Sequence, residues 1–492
     1  MQDIIAMTDG VARLPEWQLA APATFCLSTG EHIAIIGRNG SGKTLLTDMI
    51  TGRHPLRSGV LRYDFSPCKE NTVSSCLRYI RYKDAYGRTN DRSYYLQQRW
   101  NQTEIDESTP TVKDRIEQAF TASGNNTLER RKMCKNLTTL LRLEESLDKY
   151  IISLSSGELR KLSLITALMN EPRVLVIDNP FIGLDIQTRQ QYRDLLRALS
   201  EKQTLQIILL VSDANDIPDF VTHVVEVTGK RVAPKCTRTE YLQRLENRKK
   251  DIQNLQKRQT IIKNPYTDKV SENYDVICMR NVTIRYGSHT ILPGTDWTVK
   301  RGECWALTGR NGSGKSTLLS LVCADNPQAY RCDITLFGRK RGTGESIWDI
   351  KRRIGHVSPE MHRAIKTDCT VEQMIASELK RPGTHTSKPC EEELQKCRSW
   401  MEDLGIATLA QRRFQSLSSG EQRMALLTRA FVADPELLIL DEPFQGLDPV
   451  NRRLAQDAIT EFCACKGKTL IFVTHDPSEL PPCVTLTKHL GQ

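Results

Sequence analysis

An eight-residue loop occurs twice in this chain. Gly37-Arg38-Asn39-Gly40-Ser41-Gly42-Lys43-Thr44 recurs as Gly309-Arg310-Asn311-Gly312-Ser313-Gly314-Lys315-Ser316, seven of the eight positions being identical. Both copies fit G-x-x-x-x-G-K-[ST]. The glycines let successive backbone N–H groups turn toward phosphate oxygens, in conformations that a side chain would forbid. A helix opening at the end of the loop adds the partial positive charge of its N-terminus. The lysine reaches the β/γ-phosphates, and the last hydroxyl, Thr44 or Ser316, ligates Mg²⁺. The flanks supply the required context. His32–Ile36 and Cys304–Thr308 read as strands before the loops, Leu45–Ile50 and Thr317–Val322 as helices after them. Two such loops predict two nucleoside-triphosphate-binding domains in one chain.

The duplication extends well past the loops. Leu154-Ser155-Ser156-Gly157-Glu158 recurs as Leu417-Ser418-Ser419-Gly420-Glu421, Val174–Asp178 as Leu437–Asp441, and Gly183-Leu184-Asp185 as Gly446-Leu447-Asp448. All three pairs are 263 positions apart, against 272 for the loops, so the first copy carries nine extra residues between loop and signature. The segment from Tyr86 to Ile105, aromatic and polar, is the expected place for them. The reading is a first domain over 1–228, a linker over 229–273 and a second domain over 274–492. The linker should hold one helix capped by Thr239, with Tyr241, Leu245, Ile252 and Leu255 on one face and basic residues such as Arg244, Arg248 and Lys249 opposite. Contact with RNA or a partner is the less expected use of that basic face; packing on one domain with solvated charges is the more expected one.

Length and composition set bounds. A chain of 492 residues allows each repeat a core of its own. The net charge of +10 permits contact with nucleic acid or an anionic surface without arguing for either. No stretch approaches the roughly 18 apolar residues of a membrane span. The start, Met1 to Asp9, lacks the basic region and apolar core of a signal peptide. A cytoplasmic location is expected, with attachment to the inner face of a membrane left open. The fifteen cysteines show no pairing pattern and read as reduced thiols, mostly in the core.

In each half the order is Gly-rich loop, polar and helical middle, L-S-S-G-E, four apolar residues with Asp, G-L-D, then a second apolar strand, Ile207–Val211 or Leu470–His475. This order resembles the ATP-binding cassette (ABC) family over nearly the whole chain apart from the linker. The resemblance implies an α/β fold of two P-loop domains in tandem. Each should carry a helical signature subdomain, holding Leu128 to Asp148 in the first half and Glu391 to Leu404 in the second. Leu137, Leu140, Leu141 and Leu143 there should be core. The signature departs mildly from L-S-G-G-Q, with Ser156 and Ser419 for Gly and Glu158 and Glu421 for Gln. In the family the signature binds the γ-phosphate held on the other domain. Ser155, Gly157, Glu158, Ser418, Gly420 and Glu421 are therefore implied to touch ATP, and one chain can build two composite sites head to tail. The second half is similar to the ModF type of paired cassette, through Leu336–Ile350 and Ile354–Pro359.

The resemblance implies unequal sites. The site built on Lys315, Ser316, Thr317 and Asp441 has Glu442 as general base, His475 as the switch residue on the γ-phosphate, and Asp448 as coupling residue. Tyr286 would stack on adenine, and Glu360 stands for the lid glutamine that senses Mg²⁺. The other site has Lys43, Thr44 and Asp178, with Asp185 for coupling, but Asn179 replaces the base. A neutral amide can position water but cannot accept its proton, an assistance worth roughly 10²–10⁴-fold. Asp213 is read at the histidine position, where it would repel the γ-phosphate. Leu14 matches Tyr286, with Trp17 nearby, and Gln97 or Gln98 is the lid glutamine. The expectation is an ATPase using ATP and Mg²⁺, with one hydrolytic site and one that mainly holds ATP. Three purposes stay open: a soluble ModF-like regulator linked to molybdenum metabolism, the energising subunit of a membrane permease, and a ribosome-acting translation factor. Against the last stand Asn179 and the short linker.

Overall fold

The computed structural model describes residues 2–68, 71–81, 109–122, 128–141, 143–151, 154, 156–184, 186–202, 204–255, 274–286, 289–309, 313–359, 361, 368–379 and 389–491. The insertion read at 86–105 lies outside them, as do Ser155, Asp185, Arg310, Asn311, Gly312 and Glu360. The chain divides into two compact units, with the main division between Arg258 and Gln259.

In the first unit the strands are β1 (Asp3–Ala12), β2 (Ala23–Ser28), β3 (Ile33–Ile36), β4 (Leu56–Tyr63), β5 (Leu77–Ile80), β6 (Val174–Asp178), β7 (Gln206–Val211), β8 (His223–Thr228), β9 (Arg231–Val232) and β10 (Cys236–Thr237). The central sheet runs β10-β8-β3-β7-β6-β5, with β9 added against β8. From β8 to β5 every pairing is parallel. Parallel strands covered on both faces need unbroken apolar runs rather than alternation. Val-Leu-Val-Ile in β6 and Ile-Ile-Leu-Leu-Val in β7 meet that need and are buried throughout. A smaller antiparallel sheet, β2-β1-β4, packs on the helix Lys43–Ile50 through Ile5, Met7, Phe25 and Leu46.

The second unit repeats the design. Its strands are β11 (Asp275–Tyr286), β12 (His289–Lys300), β13 (Cys304–Gly309), β14 (Asp333–Leu336), β15 (Arg339–Lys340), β16 (Ile354–Val357), β17 (Leu437–Asp441), β18 (Thr469–Val473) and β19 (Leu486–Leu490). The order β16-β17-β18-β13-β19 is parallel throughout and matches β5-β6-β7-β3-β8 strand for strand. Each Gly-rich loop thus leaves the C-terminal end of a strand with parallel neighbours on both sides, the place where open α/β sheets bind ligands.

Both helical subdomains are present. Helix Leu128–Leu140 and the turn Glu144–Ser146 precede the signature helix Ser156–Leu168; helix Glu391–Asp403 precedes the signature helix Ser419–Val432. Leu137, Leu141 and Leu143 are buried, but Leu140 is 58% exposed. Leu140 is the last residue of its helix and is turned to solvent there, while Leu137 and Leu141 reach the core.

The linker reading is corrected in two respects. β9 and β10 join the first sheet, so the first unit's architecture continues past Thr228. The helix Arg238–Leu255 is capped by Thr237, not Thr239: Thr237 Oγ1 accepts from Glu240 N (3.3 Å), and Glu240 Oε2 accepts from Thr237 N (3.0 Å). Tyr241 on that helix is buried in the first unit's core and Arg244 faces solvent. No helix among the described residues is long and apolar enough to cross a membrane.

Candidate nucleotide sites

The two loops are shaped by the same contacts. A Cβ at Gly37 would sit 2.1 Å from Val227 O, and one at Gly309 would sit 2.5 Å from Leu490 O. These carbonyls belong to β8 and β19, the strands beside the loop strands, so the first glycine of each motif is required by close backbone approach. Gly42 and Gly314 are left-handed, at φ 104° and 92°, and start the helices Lys43–Ile50 and Lys315–Val322. A left-handed glycine carries no side chain to cap the helix, and neither helix start has a side-chain cap. Its first N–H groups are left to an anion. Among the described residues the buried Ser41 Oγ and Ser313 Oγ have no hydrogen-bond partner, and each lies 2.5–2.6 Å from where that first glycine's Cβ would be. Lys43 Nζ donates to Gly37 O (2.5 Å) and Arg38 O (3.0 Å); Lys315 Nζ donates to Gly309 O (2.6 Å). A glycine-walled cradle with uncapped N–H groups, an ammonium and an unpaired hydroxyl fits a polyphosphate. Thr44 and Ser316 follow the lysines and are exposed.

Beyond β6 and β17 the backbones coincide and the chemistry diverges. Asn179 and Glu442 are both left-handed, at φ 50° and 51°. Asn179 N donates to Leu210 O and Glu442 N to Val473 O, both at 2.9 Å. Asparagine tolerates this conformation better than glutamate, for which it carries a strain of about 1 kcal/mol or more. Glu442 nevertheless holds it and thereby meets His475, whose Nδ1 lies 2.6 Å from Glu442 Oε1. In the first unit Asn179 Nδ2 instead donates to Asp178 Oδ1 at 2.9 Å.

The strand register corrects one assignment. Asp178 pairs with Leu210 as Asp441 pairs with Val473. The counterpart of His475, two residues past Val473, is therefore Ser212 rather than Asp213. Asp213 matches Asp476: each caps a short 3-10 helix, accepting from Asn215 N and from Ser478 N. Its carboxylate has a structural task and does not take the histidine's place. Ser212 Oγ donates to Asn39 Oδ1 of the loop at 3.3 Å. His475 lies just beyond β18 rather than within it.

The signatures are helix starts. Ser418 caps its helix in a reciprocal box: Ser418 Oγ accepts from Glu421 N (3.4 Å), and Ser418 N donates to Glu421 Oε2 (2.8 Å). A nearby cation holds each signature glutamate, Arg412 on Glu421 (3.3 Å) and Lys149 on Glu158 (2.9 Å). Gly420 is buried, and Gly157 lies in the first turn of its helix. Sequence reasoning missed the arginines two residues further on. Arg160 Nη1 donates to Asn179 O (2.6 Å) and Pro180 O (3.0 Å), and Arg423 Nη2 to Gln445 Oε1 (3.4 Å), so each signature helix is tied to the turn after its own unit's strand-end aspartate, Asp178 or Asp441. Asp448, fully buried, caps the helix Pro449–Ala464 by accepting from Val450 N and Asn451 N.

Tyr286 ends β11, at the tip of the β11–β12 hairpin. Leu14 is 37% exposed, and one face of Trp17 is covered by the His54 ring, stacked at 4.2 Å. Tyr286 thus has no counterpart of like chemistry at Leu14.

The ABC transporter family profile matches residues 21–182 and 292–445. The ABC transporter ATP-binding protein ModF of Escherichia coli is 33% identical over 98% of this chain and 95% of its own length. An uncharacterized ABC transporter ATP-binding protein of Schizosaccharomyces pombe is 29% identical over 97% of this chain and 95% of its own. Among solved structures, an archaeal ribosome recycling factor in complex with a ribosomal stalk protein covers 98% of this chain and 87% of its own, with TM-score 0.52 and 18% identity, a likeness of fold. Duplicated loops, matched sheets and paired signatures agree with these relatives: the chain belongs to the ATP-binding cassette family and is a ModF-like tandem ABC ATPase.

Proposed function

We propose that the chain hydrolyses ATP mainly at one site and uses the other as a nucleotide-dependent clamp. The observation that carries this is the contrast between two residues with one backbone conformation: Glu442 within 2.6 Å of His475, and Asn179 bonded to Asp178. Glu442 is the general base for the attacking water, and His475 orients it and contacts the γ-phosphate. In the first unit, Ser212 and Asn179 bond to Asn39 and Asp178, so the positions used for chemistry in one copy brace the binding elements in the other. Mg²⁺ would be held by Ser316 and Asp441, and by Thr44 and Asp178, and would neutralise charge on the phosphates. Pairing of the two domains head to tail, with each signature completing the other's site, follows the family pattern.

Single-turnover hydrolysis tests the asymmetry. Glu442→Gln is expected to lower the rate roughly 10²–10⁴-fold while both loops still bind ATP. A near wild-type rate would overturn the assignment, since the first site would then carry the chemistry. A link to molybdenum metabolism rests on the ModF likeness alone. ATP-trapped Glu442→Gln used as bait checks what the cycle drives: ribosomes or an integral membrane protein among the captured partners would displace the regulatory reading.

A further inference from the structure

Three cysteines far apart in sequence converge in the second unit, away from the nucleotide loop. Cys304 begins β13, Cys463 lies in the last turn of helix Pro449–Ala464, and Cys483 precedes β19. Their sulfurs all lie within 4.8 Å of one another. Cys304 is the strand end opposite Gly309. The two are five residue steps apart along the strand, about 16 Å at ~3.3 Å per residue, so the cluster is no part of the phosphate site.

Reduced thiols usually behave as small apolar groups, and packing alone does not require sulfurs to face one another. Here three separate elements aim them at one point. The neighbouring Cys465 is turned away, its Sγ donating to Glu461 O. Tetrahedral Zn²⁺ with bonds of about 2.3 Å to sulfur places its ligands about 3.8 Å apart, within reach of the observed spacing. Cys304 is 6% exposed whereas Cys463 and Cys483 are partly exposed, so the cluster sits at the edge of the core rather than sealed within it. That leaves an open direction for a fourth ligand.

We propose that Cys304, Cys463 and Cys483 form a binding site for a thiophilic cation of the Zn²⁺ class, with water as the fourth ligand. On binding, three sulfur–metal bonds form and the three thiol protons pass to solvent. The ion would join the strand that feeds the second phosphate loop to the helix that follows Asp448 and to the entry of β19.

The test uses the full chain, purified reduced, with Zn²⁺ titrated against a chromophoric chelator and Co²⁺ as the spectroscopic probe. Wild type should bind about one equivalent of Zn²⁺, and the Co²⁺ form should show sulfur-to-cobalt charge-transfer absorption. Cys463→Ser and Cys483→Ser, at partly exposed positions, should each weaken Zn²⁺ at least about tenfold, while the exposed Cys390→Ser should not. Retained ATP binding shows that the variants fold. Absence of stoichiometric Zn²⁺, a disulfide within the cluster of the reduced protein, or undiminished binding in the Cys463→Ser/Cys483→Ser double variant would each overturn the site.

Discussion

A single residue type separates the two halves most sharply. Asn179 and Glu442 share a left-handed backbone and the same bond to the neighbouring strand, so exchanging side chains there should not rebuild the turn. Ser212 stands where His475 stands, and its hydroxyl is too short to repeat the His475–Glu442 contact. Asn179→Glu with Ser212→His should therefore install a second base–histidine pair. In a Glu442→Gln background, where the original base is gone, this pair is expected to raise residual single-turnover hydrolysis at least about tenfold. Asn179→Glu alone should raise it less, because the carboxylate would lack its histidine. No gain in the double variant would place the cause of the proposed silence of the first site elsewhere than at these two residues. The glycines make the opposite point. Gly37→Ala and Gly309→Ala each drive a methyl group into a backbone carbonyl, and the expected result is lost ATP binding with a destabilisation of about 1–3 kcal/mol, read by calorimetry.

Helix ends and strand ends decide most of the remaining behaviour. Asp448 serves as a cap whatever else it does. Asp448→Ala should cost about 1–2 kcal/mol, and Asp448→Ser should recover the Tm. If turnover stays low in the serine variant, the proposed coupling role is separated from the cap. On β16, burial pushes the His356 imidazole down to about 4, with Lys351 and Arg429 adding to the shift and Asp325 opposing it. An unfolded histidine takes its proton near pH 6.5, before the folded one does. Stability should thus fall as pH drops from about 6.5 toward 4 and fall no further through this group below that. His356→Gln should remove that part of the acid dependence in a Tm series. What the sequence reveals follows the same division. Loops, signatures and the apolar strands β6 and β17 are legible because each is a short run whose pattern is local. Asp213 reads as the counterpart of His475 from its letters, but the end of β7 is set by pairing with β6, which gives that place to Ser212. β9 and β10 are two residues each and have no apolar run to announce them. The cluster of Cys304, Cys463 and Cys483 is assembled wholly by the fold, from positions that share no spacing motif.

At the scale of the whole chain, duplication makes each half a control for the other. The same parallel order, the same glycine-walled loop and the same signature sequence appear twice, while the Glu442–His475 pair appears in one copy and Asn179 with Ser212 in the other. A chain with two equal engines has no use for such a difference, whereas a clamp paired with an engine does. On the proposed head-to-tail assignment, the first signature completes the hydrolytic site and the second completes the clamp. Gly157→Asp and Gly420→Asp, which are the same change by sequence, should then differ in effect. Gly157→Asp is expected to lower single-turnover hydrolysis about as far as Glu442→Gln, roughly 10²-fold or more, although it lies in the other domain. Gly420→Asp should leave at least about tenfold more hydrolysis than Gly157→Asp and act chiefly on ATP retention at the first loop, followed by release of a fluorescent nucleotide. Equal losses would mean two interchangeable sites. The reverse order would mean that each signature serves its own domain, and the head-to-tail assignment would fall with it.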